Sequence, residues 1–327
     1  MGNSKREKTK RKFDKRFWLF LILIVLYIGY QLYQYQQTHQ SIPAPDGALH
    51  VHMIECGQGD AFLFECNGLY GLIDCGPNLS QDKVLKYLEN QNVDKLQFIV
   101  GTHPHDDHMG EMYQVLEQYE VNTIYLPEYD ESKIKTRWHR NLMTLIEQKK
   151  INVVHPECGQ TFYLDDAIFK VVGQLSPEEA GKDYNNYSTV IKVSFGEMDI
   201  LMTGDAEKPV EKAMLSSSEN LECEVLKLGH HGSDTSTTQA FLDAVNPTYA
   251  LVSCEVGNSY HHPCLETMEK LEAKQVELYR TDEIGDVELS ISDNHIAFNK
   301  SPCDYIDGDS LAKKRGILND DEKLYGN

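Results

Sequence analysis

The stretch His103-Pro104-His105-Asp106-Asp107-His108, closed by Met109-Gly110, constrains this chain more than any other. Three imidazoles and two carboxylates so close together are costly to bury unless they pair with one another or bind a cation. Just before them, Leu96-Gln97-Phe98-Ile99-Val100 reads as a buried strand, and residues 108–119 carry apolar side chains at helical spacing. The stretch is therefore expected to be a loop at a strand's carboxyl end, where α/β proteins place ligands and chemistry. A tight loop can aim His103 and His105 at one cation and Asp107 with His108 at a neighbour. Zinc accepts imidazole nitrogen and carboxylate oxygen together, and manganese or iron take the same donors.

The surrounding pattern predicts the frame that would hold such a loop. Short β-rich runs at 49–54, 61–66 and 70–75 are separated by glycine-bearing turns. A helix over 80–90 leads to the strand before the loop. Next come a strand at 122–126, a helix over 131–149, strands near 151–154 and 168–172, and a hairpin of 189–194 with 198–202. Helix and strand then alternate: helices at 206–216, 236–244 and 265–273, strands at 224–228, 249–253 and 276–279, and closing strands to about 298. Strands followed by alternating units imply mixed sheets covered by helices, an α/β layered domain. The polar stretch 299–327 reads as a loose tail. His50 and His52, two apart on one strand, read as a solvated face.

Charge and hydropathy divide the rest. The chain has 327 residues and a formal charge of −20 from 31 basic and 51 acidic residues. Residues 1–16 hold eight Lys or Arg against two acids, which leaves 23 basic and 49 acidic residues, a net of −26, for the remainder. An apolar run follows at 17–35, which as a helix would be about 28 Å long, close to the roughly 30 Å of a bilayer's hydrocarbon core. By the positive-inside bias the basic segment stays in the cytoplasm, residues 17–35 form one transmembrane anchor, 36–47 form a linker, and the domain lies outside the cytoplasm. The eight cysteines show no metal-binding spacing and most sit in apolar runs, as ordinary core residues do.

His-x-His-x-Asp-His after a strand resembles the signature of the metallo-β-lactamase superfamily of hydrolases, and the resemblance covers residues 48–298. It implies an αββα sandwich with a two-metal centre at its edge, the ions most often zinc. By resemblance the ligands are His103, His105, Asp107, His108, the bridging Asp205 of Thr203-Gly204-Asp205, and one of His230 and His231; which of the two is left open. Asp74 matches a carboxylate that braces the metal loop. Cys56-Gly57-Gln58-Gly59-Asp60-Ala61, Asn185-Asn186-Tyr187-Ser188, Leu226 to Ser233 and Asn258 to Pro263 are similar to the β-lactamase-like domain of the competence protein ComEC and its stand-alone relatives. Asn185 and Asn186 stand where zinc members usually place another histidine, so the first metal would have fewer protein ligands and weaker occupancy. His139 and His155, the histidines of that interval, read as surface or structural residues.

The chemistry that follows is hydrolysis by a water of lowered pKa. Asp107 or Asp205 would orient that water, and His262 or Lys227 would assist the leaving oxygen. The resemblance favours phosphodiesters. The acidic charge favours a small or membrane-linked phosphodiester over duplex DNA, whose non-specific binding depends on Lys and Arg at phosphates. Lactone or β-lactam substrates are the enzymatic alternative, and a non-catalytic, metal-stabilised binding module is the alternative of another class.

Overall fold

The computed structural model describes residues 47–78 and 82–318, together with Ile24 and Tyr27, which are helical and exposed. Among the described residues no helix is long and apolar enough to cross a membrane. The expected anchor at 17–35 lies, apart from those two positions, outside the described residues. So do the basic segment 1–16, most of the linker 36–47 and the last nine residues of the chain.

Two sheets face each other. The first contains β1 (Leu49–Met53), β2 (Ala61–Cys66), β3 (Leu69–Cys75), β4 (Lys95–Val100), β5 (Glu120–Tyr125), β6 (Asn152–Val154), β14 (Val287–Ser292) and β15 (His295–Phe298), in the order β15-β14-β1-β2-β3-β4-β5-β6. The second contains β7 (Thr161–Leu164), β8 (Ala167–Gly173), β9 (Val190–Phe195), β10 (Met198–Met202), β11 (Val225–Lys227), β12 (Tyr249–Val252) and β13 (Glu277–Arg280), in the order β13-β12-β11-β10-β9-β8-β7. Strands β3 to β6 and β10 to β13 run parallel, while the hairpins beside them are antiparallel.

Side-chain alternation along each strand builds three apolar layers. Leu49, Val51, Phe64, Phe98, Phe162, Phe169 and Ile200 meet between the sheets. Phe98 stands edge-on to Phe162 and Phe169, each with ring centroids 5.0 Å away. Such pairs add about 0.5–1.5 kcal/mol to the burial itself. Helices Lys83–Asn90, Met112–Gln118 and Arg137–Lys149 cover the outside of the first sheet, and Lys208–Ser216, Gln239–Val245 and Leu265–Lys274 cover the second. The four layers are the expected αββα arrangement.

Two expectations need correction, and one strand is new. The region 299–318 is not loose: Cys303 pairs with Leu278, Asp307 caps the helix Gly308–Lys314, and Arg315 donates to the carbonyls of Asp282 and Glu283. Leu311 and Ala312, the apolar pair in a polar stretch, are what that helix buries. His50 and His52 are not solvated but buried at 2% and 1% exposure. The acid partner of His50, Glu288 on β14, is 238 residues away in sequence, and Tyr87 of the covering helix reaches His52. Strand β7 was not anticipated, because only Phe162 and Leu164 of its four residues face inward.

Candidate metal centre

The parallel registers bring the carboxyl ends of several strands to one edge of the sandwich. From the first sheet come Asp74, near the end of β3, and the loop that follows β4; from the second come the segments after β10, β11 and β12. The His103–His108 loop closes on itself as His105 N donates to the His103 carbonyl and Met109 N to the His105 carbonyl. A second turn presses against it: Asp60 N donates to the Asp107 carbonyl at 3.0 Å, and a Cβ on Gly59 would strike that same oxygen. Gly204 is also closely packed, since a Cβ there would lie 2.8 Å from Thr102 Oγ1.

Asp107, His108, Asp205 and His231 converge, each with a donor atom within 4.8 Å of the others. His108 Nε2 lies 3.2 Å from Asp205 Oδ1, and His231 Nε2 lies 3.4 Å from Asp107 Oδ2 and 3.6 Å from Asp205 Oδ2. His108 Nε2, His231 Nε2 and Asp205 Oδ1 are buried without hydrogen-bond partners. The outward ring atoms are engaged: His108 Nδ1 with Asp74 Oδ2 at 2.7 Å, and His231 Nδ1 with the Ser253 carbonyl at 2.8 Å. Imidazoles held at one nitrogen and free at the other, beside two carboxylates, are the donor set a divalent cation takes. The residues therefore fit a metal ion, and the cluster does not distinguish zinc from manganese or iron.

Electrostatics point the same way. Burial pulls the His231 imidazolium down, but Asp205 and Asp60 outweigh it and hold its pKa at about 10. His108 is likewise raised, against burial, by Asp205, Asp74 and Asp107. Burial raises the Asp205 carboxyl, yet His108 and His231 bring it well below the usual range. In the bare cluster protons balance the carboxylates, and a cation would displace them.

The other half is poorer. His103 Nε2 lies 3.0 Å from His105 Nδ1 but 3.9 Å from Asp205 Oδ2. Asn185, buried beside it, extends its amide toward His230 and Glu207. The side-chain oxygens of both Asn185 and Asn186 are buried without hydrogen-bond partners.

The structure separates the two adjacent histidines. Both take left-handed backbone, φ 49° for His230 and 53° for His231. Such conformations cost on the order of 1–3 kcal/mol and cluster at functional sites. They turn His231 into the cluster and His230 toward Glu207, Thr235 and Asn185. Asp74 accepts from Thr102 N, Thr102 Oγ1 and His108 Nδ1. Asp60 stands behind His231 and is paired with Lys227 at 2.5 Å.

Lys227 corrects an expectation: fully buried and bound to Asp60 and the Gly204 carbonyl, it reaches no leaving oxygen. His262 does reach the site, with its ring 5.1 Å from that of His230. Burial and the charges of His231 and His230 hold it down to about 3, so it is a neutral imidazole rather than an acid. His139 is buried against Tyr129 and His155 is exposed, both away from the cluster. Sequence reasoning missed Thr102 and Glu207 and gave Ser188 no role of its own. Ser188 Oγ accepts from Asp205 N at 3.1 Å and lies 3.4 Å from His103 Nδ1. Thr102 adjoins a recognised motif and Ser188 closes one, and that position was the available signal.

Comparison with known proteins agrees with this geometry. The profile of the Metallo-beta-lactamase superfamily matches residues 54–255. ComE operon protein 3 of Bacillus subtilis is 28% identical over 270 residues, covering 77% of this chain and 34% of that protein. Competence protein ComA of Neisseria gonorrhoeae is 28% identical over 253 residues, covering 76% and 33%. The chain thus spans about a third of the length of these curated relatives. Igni18, a novel metallo hydrolase from the archaeon Ignicoccus hospitalis, superposes with a TM-score of 0.52 at 16% identity, covering 74% of this chain and 99% of that one, a likeness of fold. With the sandwich, the donor cluster and the profile in agreement, the chain, similar over three quarters of its length to parts of these two relatives, belongs to the metallo-beta-lactamase superfamily.

Proposed function

We propose that the domain is a metal-dependent hydrolase of phosphodiester bonds, carried outside the cytoplasm on a single membrane anchor at residues 17–35. The observation that supports it most is the convergence of Asp107, His108, Asp205 and His231 with partnerless buried donor atoms. A divalent cation held there would supply a water of pKa about 7 and stabilise charge at the attacked centre. The chain's own residues do the rest. Asp107, whose side chain is 30% exposed while that of Asp205 is 1% exposed, is the carboxylate open to the entering water and orients it. Asp205 is held by Ser188 through its backbone and serves both halves of the centre. His262, neutral and beside His230, offers a hydrogen bond to the leaving oxygen. His103 and His105 with Asp205 would hold a second, weaker cation, zinc being the first choice and manganese or iron accepting the same donors.

The net charge of −20 disfavours a long polyanion, so a small or membrane-linked phosphodiester is the proposed substrate. The test is the purified full chain with zinc or manganese supplied, its metal content measured and its activity followed on bis(p-nitrophenyl) phosphate, a lactone and a β-lactam. Phosphodiester turnover supports the proposal, and turnover only of the carboxylic substrates overturns the choice of bond. Asn185 and Asn186 in the poorer half favour a second reading, a metal-stabilised binding module. Bound metal without turnover of any ester would establish that reading instead.

A further inference from the structure

Beyond the metal donors, the edge of the site carries an aromatic surface that the hydrolytic reading does not use. The rings of His231, His262 and Tyr260 run outward in near-parallel steps: 6.3 Å and 29° between the first two, 5.8 Å and 25° between the second two. The series begins in the buried donor cluster and ends on Tyr260, which is 62% exposed. On the other side, the half-buried Tyr184 stands edge-on to His105 with centroids 5.8 Å apart. A large exposed aromatic is unremarkable by itself. This one is held in place. Asn258 Oδ1 accepts from both Tyr260 N and His262 N at 3.1 Å, and Asn258 Nδ2 donates to the carbonyls of Glu255 and His262. Between the two rings, His261 Nδ1 bonds Asp309 Oδ1 at 2.9 Å, and Gly308 N donates to the Pro263 carbonyl. The C-terminal helix thus buttresses the loop that presents Tyr260.

A rigidly mounted ring in water binds flat groups with little ordering cost. We propose that Tyr260 is a stacking subsite for a planar aromatic group on the substrate, beside the scissile phosphate. The inference rests on the phosphodiester reading, and it names the substrate class as a short nucleotidyl phosphodiester with an unpaired base. Stacking on a tyrosine tolerates any base, because every base has a π-face. A paired base in duplex offers no free face, and the acidic chain repels long polyanions.

The test uses the metal-loaded full chain and two esters with the same leaving group, thymidine 5′-(p-nitrophenyl phosphate) and methyl p-nitrophenyl phosphate. The expected result is a kcat/KM at least about tenfold higher for the thymidine ester, within the range of one stacked base. In Tyr260→Ala the ratio falls to within about twofold, while Tyr260→Phe keeps it. A ratio unchanged in Tyr260→Ala overturns the proposal. If neither ester turns over, the phosphodiester reading fails, and calorimetry with thymidine 5′-monophosphate decides the subsite separately. A Kd at least about fivefold weaker in Tyr260→Ala, but not in Tyr260→Phe, supports it. Equal affinity in wild type and Tyr260→Ala, or no binding by wild type, overturns it.

Discussion

His231 and His52 are both buried at 1% exposure, yet one imidazole is held up to about 10 and the other down to about 4. Burial pushes both toward the neutral form. Around His231 it is outweighed by Asp205 and Asp60, with the Asp107 carboxylate 3.4 Å away. Around His52 only Glu288 opposes it, and the neighbouring His50 works in the same sense as burial. The number of carboxylates facing a histidine, not its depth, separates a centre that stores charge from a pair that packs a sheet. A cation suits the first because it replaces protons the carboxylates already demand. The second satisfies its Nδ1 atoms with Glu288 and Tyr87.

The largest effect is expected from removing the carboxylate shared by both halves of the centre. Asp205→Asn should abolish stoichiometric metal binding and lower kcat/KM by more than about 100-fold, the upper end for losing an outer partner. Mass-spectrometric metal content, with circular dichroism as the folding control, checks it; retained metal would break the comparison. His231→Ala should come next, losing the ion of the acidic half. His230→Ala should lose less metal, since its Nδ1 lies 3.2 Å from Glu207 and its Nε2 only 3.8 Å from Asp205. Equal losses in the two variants would reverse the assignment of His231. Asp74→Asn removes the carboxylate behind His108 and should weaken metal affinity about 10- to 100-fold, measured by competition with a chelator.

The smallest effect belongs to the β1 pair and is read in stability. Because the folded pKa of His52 lies below its unfolded value of about 6.5, the unfolded chain binds the extra proton between the two. Its contribution is therefore complete above pH 6.5 and is lost as pH falls toward 4. His52→Phe should shrink the stability difference between pH 7 and pH 5 by about 2 kcal/mol in urea titrations. An undiminished pH dependence would show that His52 is not the group responsible.

Much of the layered fold was legible because alternation and helical spacing are local signals. The hairpin of β9 and β10 and the alternating elements after it fall where the apolar pattern puts them. Strand β7 was not legible, being short with only Phe162 and Leu164 inside. In the helix Gly308–Lys314, Leu311 and Ala312 are too few to show a period against their polar neighbours. At the centre, the His103–His108 loop, Asp205 and Asp74 were readable as motifs. Of the partners that aim them, the Ser253 carbonyl carries no distinctive pattern, and Thr102 and Ser188 are marked only by the motifs at which they stand.

By itself the sequence determined that a donor-rich loop follows a buried strand, since ligand chemistry and strand periodicity are both written in consecutive residues. Only the tertiary structure decided how those donors are shared. It turned His231 into the donor cluster and His230 toward Glu207 through two left-handed residues, engaged the Lys227 ammonium with Asp60, and met His50 with Glu288 from the far end of the chain. Side-chain direction and distant partners depend on how strands align across the two sheets, and no local stretch encodes that alignment.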